Sequence, residues 1–203
     1  MNLIIHPSYF PSISHFVAIA KADLVTFEMD DNFQKQTNRN RMYIYSPNGI
    51  QLLNIPIKHS KDAHQKTRDV KLETAFDWQK QHFKSLEAAY RTSPFFEYFE
   101  DDILPIFEKK HTFLMDLNFQ TMEIVSKCLG LTFDYNETTE YFRLVDDKTD
   151  LRHLINGKKD TSVFDPYTQV FGEKHGFLNN LSILDVLFNE GRYALDYLKN
   201  QTL

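Results

Sequence analysis

The stretch that decides the fold is Asn2-Leu3-Ile4-Ile5-His6-Pro7-Ser8-Tyr9-Phe10-Pro11-Ser12-Ile13-Ser14-His15-Phe16-Val17-Ala18-Ile19-Ala20-Lys21-Ala22-Asp23-Leu24-Val25-Thr26-Phe27-Glu28. Asn2–His6 is short and apolar and reads as a buried strand. Pro7 and Pro11 exclude a continuing helix or a central strand from the loop that follows. Ser12 offers a helix N-cap, and Phe16, Val17, Ile19 and Ala20 give the segment Ile13–Ala22 an apolar content suited to a helix. Asp23–Glu28, rich in Val, Thr and Phe, is a second strand. Strand, loop, helix and strand outline a βαβ unit, which pairs its strands in parallel.

Downstream of this unit, strands are expected near Met42–Tyr45 and Ile50–Ile57, joined by Ser46-Pro47-Asn48-Gly49. Pro at the second turn position and Gly at the fourth suit a type I turn and hence a hairpin. A further strand is expected through Arg68–Leu72. From Trp78 the period becomes helical. Trp78–Tyr90 carries a stripe of Trp78, Phe83, Leu86, Ala89 and Tyr90, with Asp77 as N-cap. Pro94–Lys109 and Thr112–Leu129 follow as helices, the latter closed by Gly130. Short strands are expected at Leu131–Tyr135, Tyr141–Val145 and Tyr167–Phe171. Asp146–Thr161 reads as a poorly packed loop. Ser182–Lys199 is helical and broken at Gly191. The expected fold is α/β: an N-terminal βαβ unit and hairpin-containing sheet with a helical C-terminal half. It forms one domain over 1–203, sheet-forming over 1–75 and mainly helical over 76–203.

The 203 residues carry 23 Lys and Arg against 28 Asp and Glu, a formal charge of −5. Nucleic-acid binding usually needs a basic face, because phosphate neutralisation dominates that affinity. Here the basic clusters, Asn38-Arg39-Asn40-Arg41 and Lys58-His59-Ser60-Lys61, are short and have Asp30, Asp31 and Asp62 nearby. The balance favours a small anionic ligand over a nucleic acid. A single cysteine, Cys128, rules out a disulfide scaffold and a Cys-rich zinc site. The first residues have neither a basic segment nor a long apolar run, and no stretch reaches the ~20 apolar residues of a membrane span. A soluble cytoplasmic protein is expected.

Several blocks form a pattern: His6-Pro7-x-Tyr9-x-Pro11, Ala20-x-Ala22-Asp23, Asn38-Arg39-Asn40-Arg41, Leu53-Asn54-Ile55-Pro56-Ile57 and Gln65. Further along come Trp78-x3-His82-x2-Ser85-x4-Tyr90-x3-Pro94, Tyr167-x-Gln169-x-Phe171, Phe177 and Leu181–Asn189 with Gly191. Together they resemble the WbqC-like family, in the shorter form common in Bacteroidota. Longer members usually carry a Gln between the first His and Pro. They also have a Trp-x-Gly-Tyr-Phe stretch where this chain has Ser12–Phe16, and a Gly-rich Tyr-Leu-Ser-Gly block where it has Asp150–Asn156. The resemblance implies an association with O-antigen and other surface polysaccharides, with no settled activity to carry over.

Four groups of residues carry candidate chemistry. His6 ends a strand at the edge where open α/β folds bind ligands. His15 lies early in the following helix, as the phosphate-holding His does in nucleotidylyltransferases. Equally, both are hydrogen-bonded structural histidines around a proline-rich corner. Arg39 and Arg41 alternate with Asn38 and Asn40, so on a strand their guanidinia share a face and suit phosphate or carboxylate. Lys35 and Lys58 could add charge. The alternative is a solvated strand end bonded to Asp30 and Asp31. Trp78, His82 and Ser85 share a helical face, but no carboxylate is spaced to orient the His, so core packing competes with a binding role. Asp185, in an otherwise apolar helix, needs a partner. That partner is Arg39 or Arg41, or else a substrate hydroxyl.

The leading expectation is a transferase-like enzyme acting on a nucleotide-activated sugar or similar anionic small molecule in surface-glycan synthesis. Its class is implied by the resemblance, and its roles come from residue chemistry. His6, His15 and Asp185 are the candidate catalytic groups. Asn38, Arg39, Asn40, Arg41, Gln65, His82, Tyr167 and Gln169 are the candidate binding groups. The eight histidines show no metal-ligand spacing, and the residues name no cofactor or oligomeric state. The rival readings are a non-catalytic assembly protein of a glycan-synthesis complex, and a nucleotidylyltransferase.

Overall fold

The structure is a computed structural model, and it describes residues 1–60 and 64–203. The opening stretch folds as its pattern dictates. Strand β1 (Asn2–Ile5) leads through the proline-rich loop into helix α1 (Ile13–Ala20) and strand β2 (Leu24–Phe27). β1 and β2 pair in parallel, with Leu3 opposite Val25 and Ile5 opposite Phe27. Leu3, Ile4 and Ile5 are all buried, as expected of a parallel strand covered on both faces.

An antiparallel hairpin follows, β3 (Arg41–Ser46) and β4 (Gly49–Asn54). Ser46 closes its turn, accepting from the Asn48 amide and donating to the Gly49 carbonyl. The helical half contains α2 (Trp78–Tyr90), α3 (Phe96–Glu108) and α4 (Leu114–Leu129). Gly130 ends α4 in the left-handed region at φ 65°, a conformation that costs a Cβ-bearing residue energy. Strands β5 (Tyr135–Glu137) and β6 (Thr149–Asp150) complete a parallel sheet in the order β5-β2-β1-β6. Helices α5 (Gly172–His175), α6 (Ile183–Glu190) and α7 (Ala194–Asn200) close the chain, with a 3-10 turn at Gly191–Tyr193 between the last two. The fold is mixed α/β, with the helices mostly in the C-terminal half.

Five local expectations are corrected. Arg68–Leu72 is no strand. Asp31 accepts from the Thr67 amide through its carbonyl and from the Thr67 hydroxyl through its carboxylate, which bends Thr67–Asp69 into a 3-10 turn. Only isolated bridges at Lys71 and Leu72 follow. Tyr141–Val145 is irregular because the carbonyls of Phe142 and Arg143 accept from the Arg152 guanidinium. Tyr167–Phe171 is likewise irregular: the Gln169 side chain bonds the backbone of Leu178, and the Phe171 carbonyl accepts from Tyr45. Finally, Asp146–Thr161 contains β6 and a 3-10 turn, Arg152–Ile155, with Arg152, Leu154 and Ile155 buried. The strand expected at Leu131–Tyr135 forms later, at Tyr135–Glu137. Lys61 and Asp62, counted above in and beside a basic cluster, lie outside the described residues.

The two halves share one core. Phe10 sits at φ 37°, stacks on Phe107 at 5.9 Å between ring centroids, and donates its amide to Thr121. The Phe10 carbonyl accepts from Ser182 at the start of α6. The loop after β1 is therefore clamped between α4 and α6, which fixes where His6 points.

Candidate functional site

A cleft of about 650 Å³ opens at the carboxyl ends of the parallel strands. His6 follows β1, Asp30 and Asp31 follow β2, and Arg152 follows β6, and all four line it. In the order β5-β2-β1-β6 the chain leaves β1 for β2 on one side and reaches β6 on the other. His6 thus sits at a topological switch point, the position at which open α/β sheets hold ligands.

The cleft is built on buried charge. Arg39, 1% exposed, ion-pairs with Asp31 and donates to Thr37 and to Nε2 of His6 at 3.2 Å. An arginine only donates, so Nε2 is the accepting nitrogen and the imidazole proton lies on Nδ1. That nitrogen is 3.7 Å from the Asp31 carboxylate. Burial, and then the charge of Arg39, lower the His6 pKa well below its ordinary value. His6 is therefore neutral at pH 7. Asn118 ties the assembly together from α4, donating to the carbonyls of Pro7 and Arg39.

A second arginine organises the far wall. Arg152 grips Asp150 with two nitrogens at 2.6 and 2.9 Å, reaches buried Glu28 at 3.2 Å, and donates to the carbonyls of Phe142 and Arg143. All five of its donors are engaged. Arg39 differs: its Nε is buried without a partner, and one Nη1 hydrogen has none either. At the rim, Asp30 pairs with Lys66 and Arg68. Arg143 and Lys159 line the cleft and make no ion pair among the described residues.

The sequence-derived candidates divide among several places. His6 and Arg39 meet in this cleft. Asn40, Arg41 and Gln65 line a neighbouring one, so Arg39 and Arg41 do not form a single clamp. β3 starts only at Arg41, and the period-2 argument does not reach back to residue 39. Asn38 and Arg41 border a third, smaller hollow beside Ser12. His15 is fully buried, bonded through Nδ1 to Ser12, with its pKa lowered to about 4 mainly by burial. The first amides of α1 are already taken, Ile13 by the Leu181 carbonyl and Ser14 by Asn180. His82 packs against Trp78 and bonds Tyr9 at 3.0 Å, with its pKa also lowered to about 4.

Asp185 takes neither arginine. It accepts from Tyr90, Tyr167 and Gln169 in the interior, and burial raises its pKa. None of these four residues lines the cleft at the strand ends.

Glu28, Asn118 and Arg152 are the residues that sequence reasoning missed, while Asp31, named there as a bonded partner of the arginines, does pair with Arg39. A signal for Glu28 was available, since a carboxylate placed directly after an apolar parallel strand sits at the ligand edge. Arg152 had a weaker one: it is a lone charge among Leu151, Leu154 and Ile155, in a segment whose apolar content argued against a bare loop. Among the described residues, no cluster of three or more His, Cys, Asp or Glu is placed to hold a metal ion. No helix there is long and apolar enough to cross a membrane.

Comparison with known proteins bears on the whole assembly. A curated relative, the uncharacterized protein Rv1507c of Mycobacterium tuberculosis, is 30% identical over 227 aligned residues, covering 97% of this chain and 96% of that protein. No solved structure matches. The model of the WbqC-like protein family matches residues 6–163, a span that begins at His6 and includes both buried arginines and their carboxylates, and the chain belongs to that family.

Proposed function

We propose that the cleft at the strand ends binds an anionic small molecule, a nucleotide-activated sugar in the leading case, and that the protein is an enzyme of surface-polysaccharide or related glycan biosynthesis. The association with glycan synthesis comes from the family resemblance. The observation that carries the binding reading is Arg39: a buried guanidinium with two unused donors, in the wall of a cleft whose rim adds unpaired Arg143 and Lys159. A buried donor without a partner costs about 1–3 kcal/mol, and an anionic oxygen would remove that cost.

The same geometry suggests how His6 would act. Its basic lone pair is occupied by Arg39 in the free protein. A phosphate that draws the guanidinium onto itself frees Nε2 to accept a proton, which couples anion binding to base catalysis. The nucleotidylyltransferase alternative has less support, because His15 is enclosed and the first helical amides of α1 are engaged.

The test is thermal denaturation of the purified protein against nucleotide sugars and nucleoside diphosphates, alone and with Mg²⁺. At a ligand concentration near 100 times Kd, binding adds about 2.7 kcal/mol to stability. That shift should fall sharply in Arg143→Gln/Lys159→Gln, which alters only rim side chains. An equal shift in the variant and the parent would remove the reading.

A further inference from the structure

A larger hollow, about 770 Å³, lies beside the first. It is the neighbouring cleft, between the segment 33–36, the start of β3 and the chain leaving β4. Lys35, Arg41, Lys58 and His59 line it, and no carboxylate does so among the described residues. None of these four side chains makes an ion pair there. Three unpaired permanent cations converging on one cavity repel one another, and in a chain of net charge −5 such a convergence contrasts with the paired arginines next door.

Two features show that the arrangement is built. The side-chain oxygen of Asn54 accepts from Nε of Arg41 at 3.2 Å and from Asn40 at 3.3 Å. Arg41 is thereby oriented through a neutral partner that does not cancel its charge, and both of its terminal nitrogens stay unused. Asn40 is 6% exposed, and its own side-chain oxygen is buried without a donor, an acceptor suited to a hydroxyl or N–H of the group esterified to the phosphate and not to the phosphate itself. In addition, the wall turns through Gln36 at φ 63°, a left-handed conformation that non-glycine residues seldom adopt. A bond from the Thr37 hydroxyl to the Gln34 carbonyl holds this turn. Strained backbone of this kind concentrates at ligand clamps.

We propose that this cleft is a second, independent anion site, for a phosphate ester carrying at least two negative charges. Lys35, Arg41 and Lys58 hold the phosphate oxygens, and the half-buried side chains of Phe33 and Ile57 offer an apolar wall to the sugar or base. The segment 30–41 is the partition between the two clefts: Asp31, Gln34 and Arg39 line the first, while Phe33, Lys35, Asn40 and Arg41 line the second. The motif Asn38-Arg39-Asn40-Arg41 therefore serves two sites with alternate arginines.

Isothermal titration with inorganic pyrophosphate and with uridine diphosphate, at 0.15 M ionic strength as a physiological reference, tests this. We expect both to bind, uridine diphosphate more tightly. Arg41→Gln/Lys58→Gln should weaken pyrophosphate at least about tenfold, the loss expected when charged hydrogen bonds are removed. Both positions are solvent-accessible, so an unchanged melting temperature verifies folding. Arg143→Gln/Lys159→Gln, in the first cleft, should leave pyrophosphate binding here intact. Absence of pyrophosphate heat at millimolar concentration overturns the proposal. So does an affinity that survives Arg41→Gln/Lys58→Gln, or one lost only in the first-cleft variant. Failure of the first-cleft reading would show separately, as a nucleotide-sugar response indifferent to Arg143 and Lys159.

Discussion

Arg39 occupies the lone pair of His6. The guanidinium donates to Nε2 at 3.2 Å through the nitrogen that pairs with Asp31, so this imidazole at the ligand edge of the sheet, kept neutral first by burial and then by the neighbouring charge, is blocked by a cation. This joins charge and base in a single unit. It also places three ionisable groups, each almost fully buried, where one substitution alters the other two.

The first prediction concerns acid. His6, His15 and His82 all have folded pKa values below the unfolded value of about 6.5. Above that pH they are neutral in both states and contribute no penalty. As pH falls below it, the unfolded chain takes up protons that the folded chain refuses, so stability drops until the folded values, about 4 for His15 and His82, are reached. Asp185, with a raised pKa, opposes this trend only near the carboxylate range. Urea unfolding should show a loss of about 2 kcal/mol per histidine between pH 7.5 and 5. His82→Gln should lessen that loss by about a third, one of three equal contributions. A flat profile would contradict the neutral, buried assignment.

The second concerns Asp185. Three donors converge on it, from Tyr90, Tyr167 and Gln169. Asp185→Asn sets an NH₂ group against at least one of them and should destabilise by about 1–3 kcal/mol. Adding Tyr167→Phe removes one of the stranded donors, so the double variant should be less destabilised than the sum of the singles. Because the cluster lies outside the cleft at the strand ends, its ligand response should persist. Loss of that response in a folded Asp185→Asn protein would bring Asp185 into the binding machinery.

The third concerns Arg152. Its five donors hold Asp150, Glu28 and two carbonyls of the 142–143 segment. Arg152→Met leaves Glu28, 1% exposed, without its cation, and breaking a buried pair in this way costs about 3–5 kcal/mol. The freed 139–148 segment should become the first site of limited proteolysis. Glu28→Gln combined with Arg152→Met should recover part of the stability but leave the segment sensitive.

These sites differ in how far the sequence revealed them. The βαβ unit was legible because its signals are local: a run of Leu3, Ile4 and Ile5, two prolines, then Ser12 before an apolar helix. Gly130 and Gly191 marked helix ends for the same reason. Tyr141–Val145 misled because its β-forming residues are overridden by Arg152, further along the chain, which takes the carbonyls a strand would need. The site followed the same rule. His6 and Arg39 are found from strand position and charge. The separation of Arg39 from Arg41, and the choice of tyrosines over arginines by Asp185, depend on long-range packing that no spacing encodes.

The last prediction separates charge from structure at Arg39. Arg39→Gln strips Asp31 of its cation in a buried setting and should cost about 3–5 kcal/mol, so loss of ligand binding in that variant alone would be ambiguous. Asp31→Asn added to it removes the stranded charge. The two introduced amides can still bond each other, and the amide oxygen at position 31 can still accept from the Thr67 hydroxyl, as the carboxylate does. Denaturation should show most of the stability restored in the double variant. A nucleotide-sugar thermal shift should not return, because Arg152, the buried guanidinium left in the cleft, has every donor engaged. A double variant that folds and still gives the parent's full thermal shift would show that Arg39 is a purely structural counterion to Asp31.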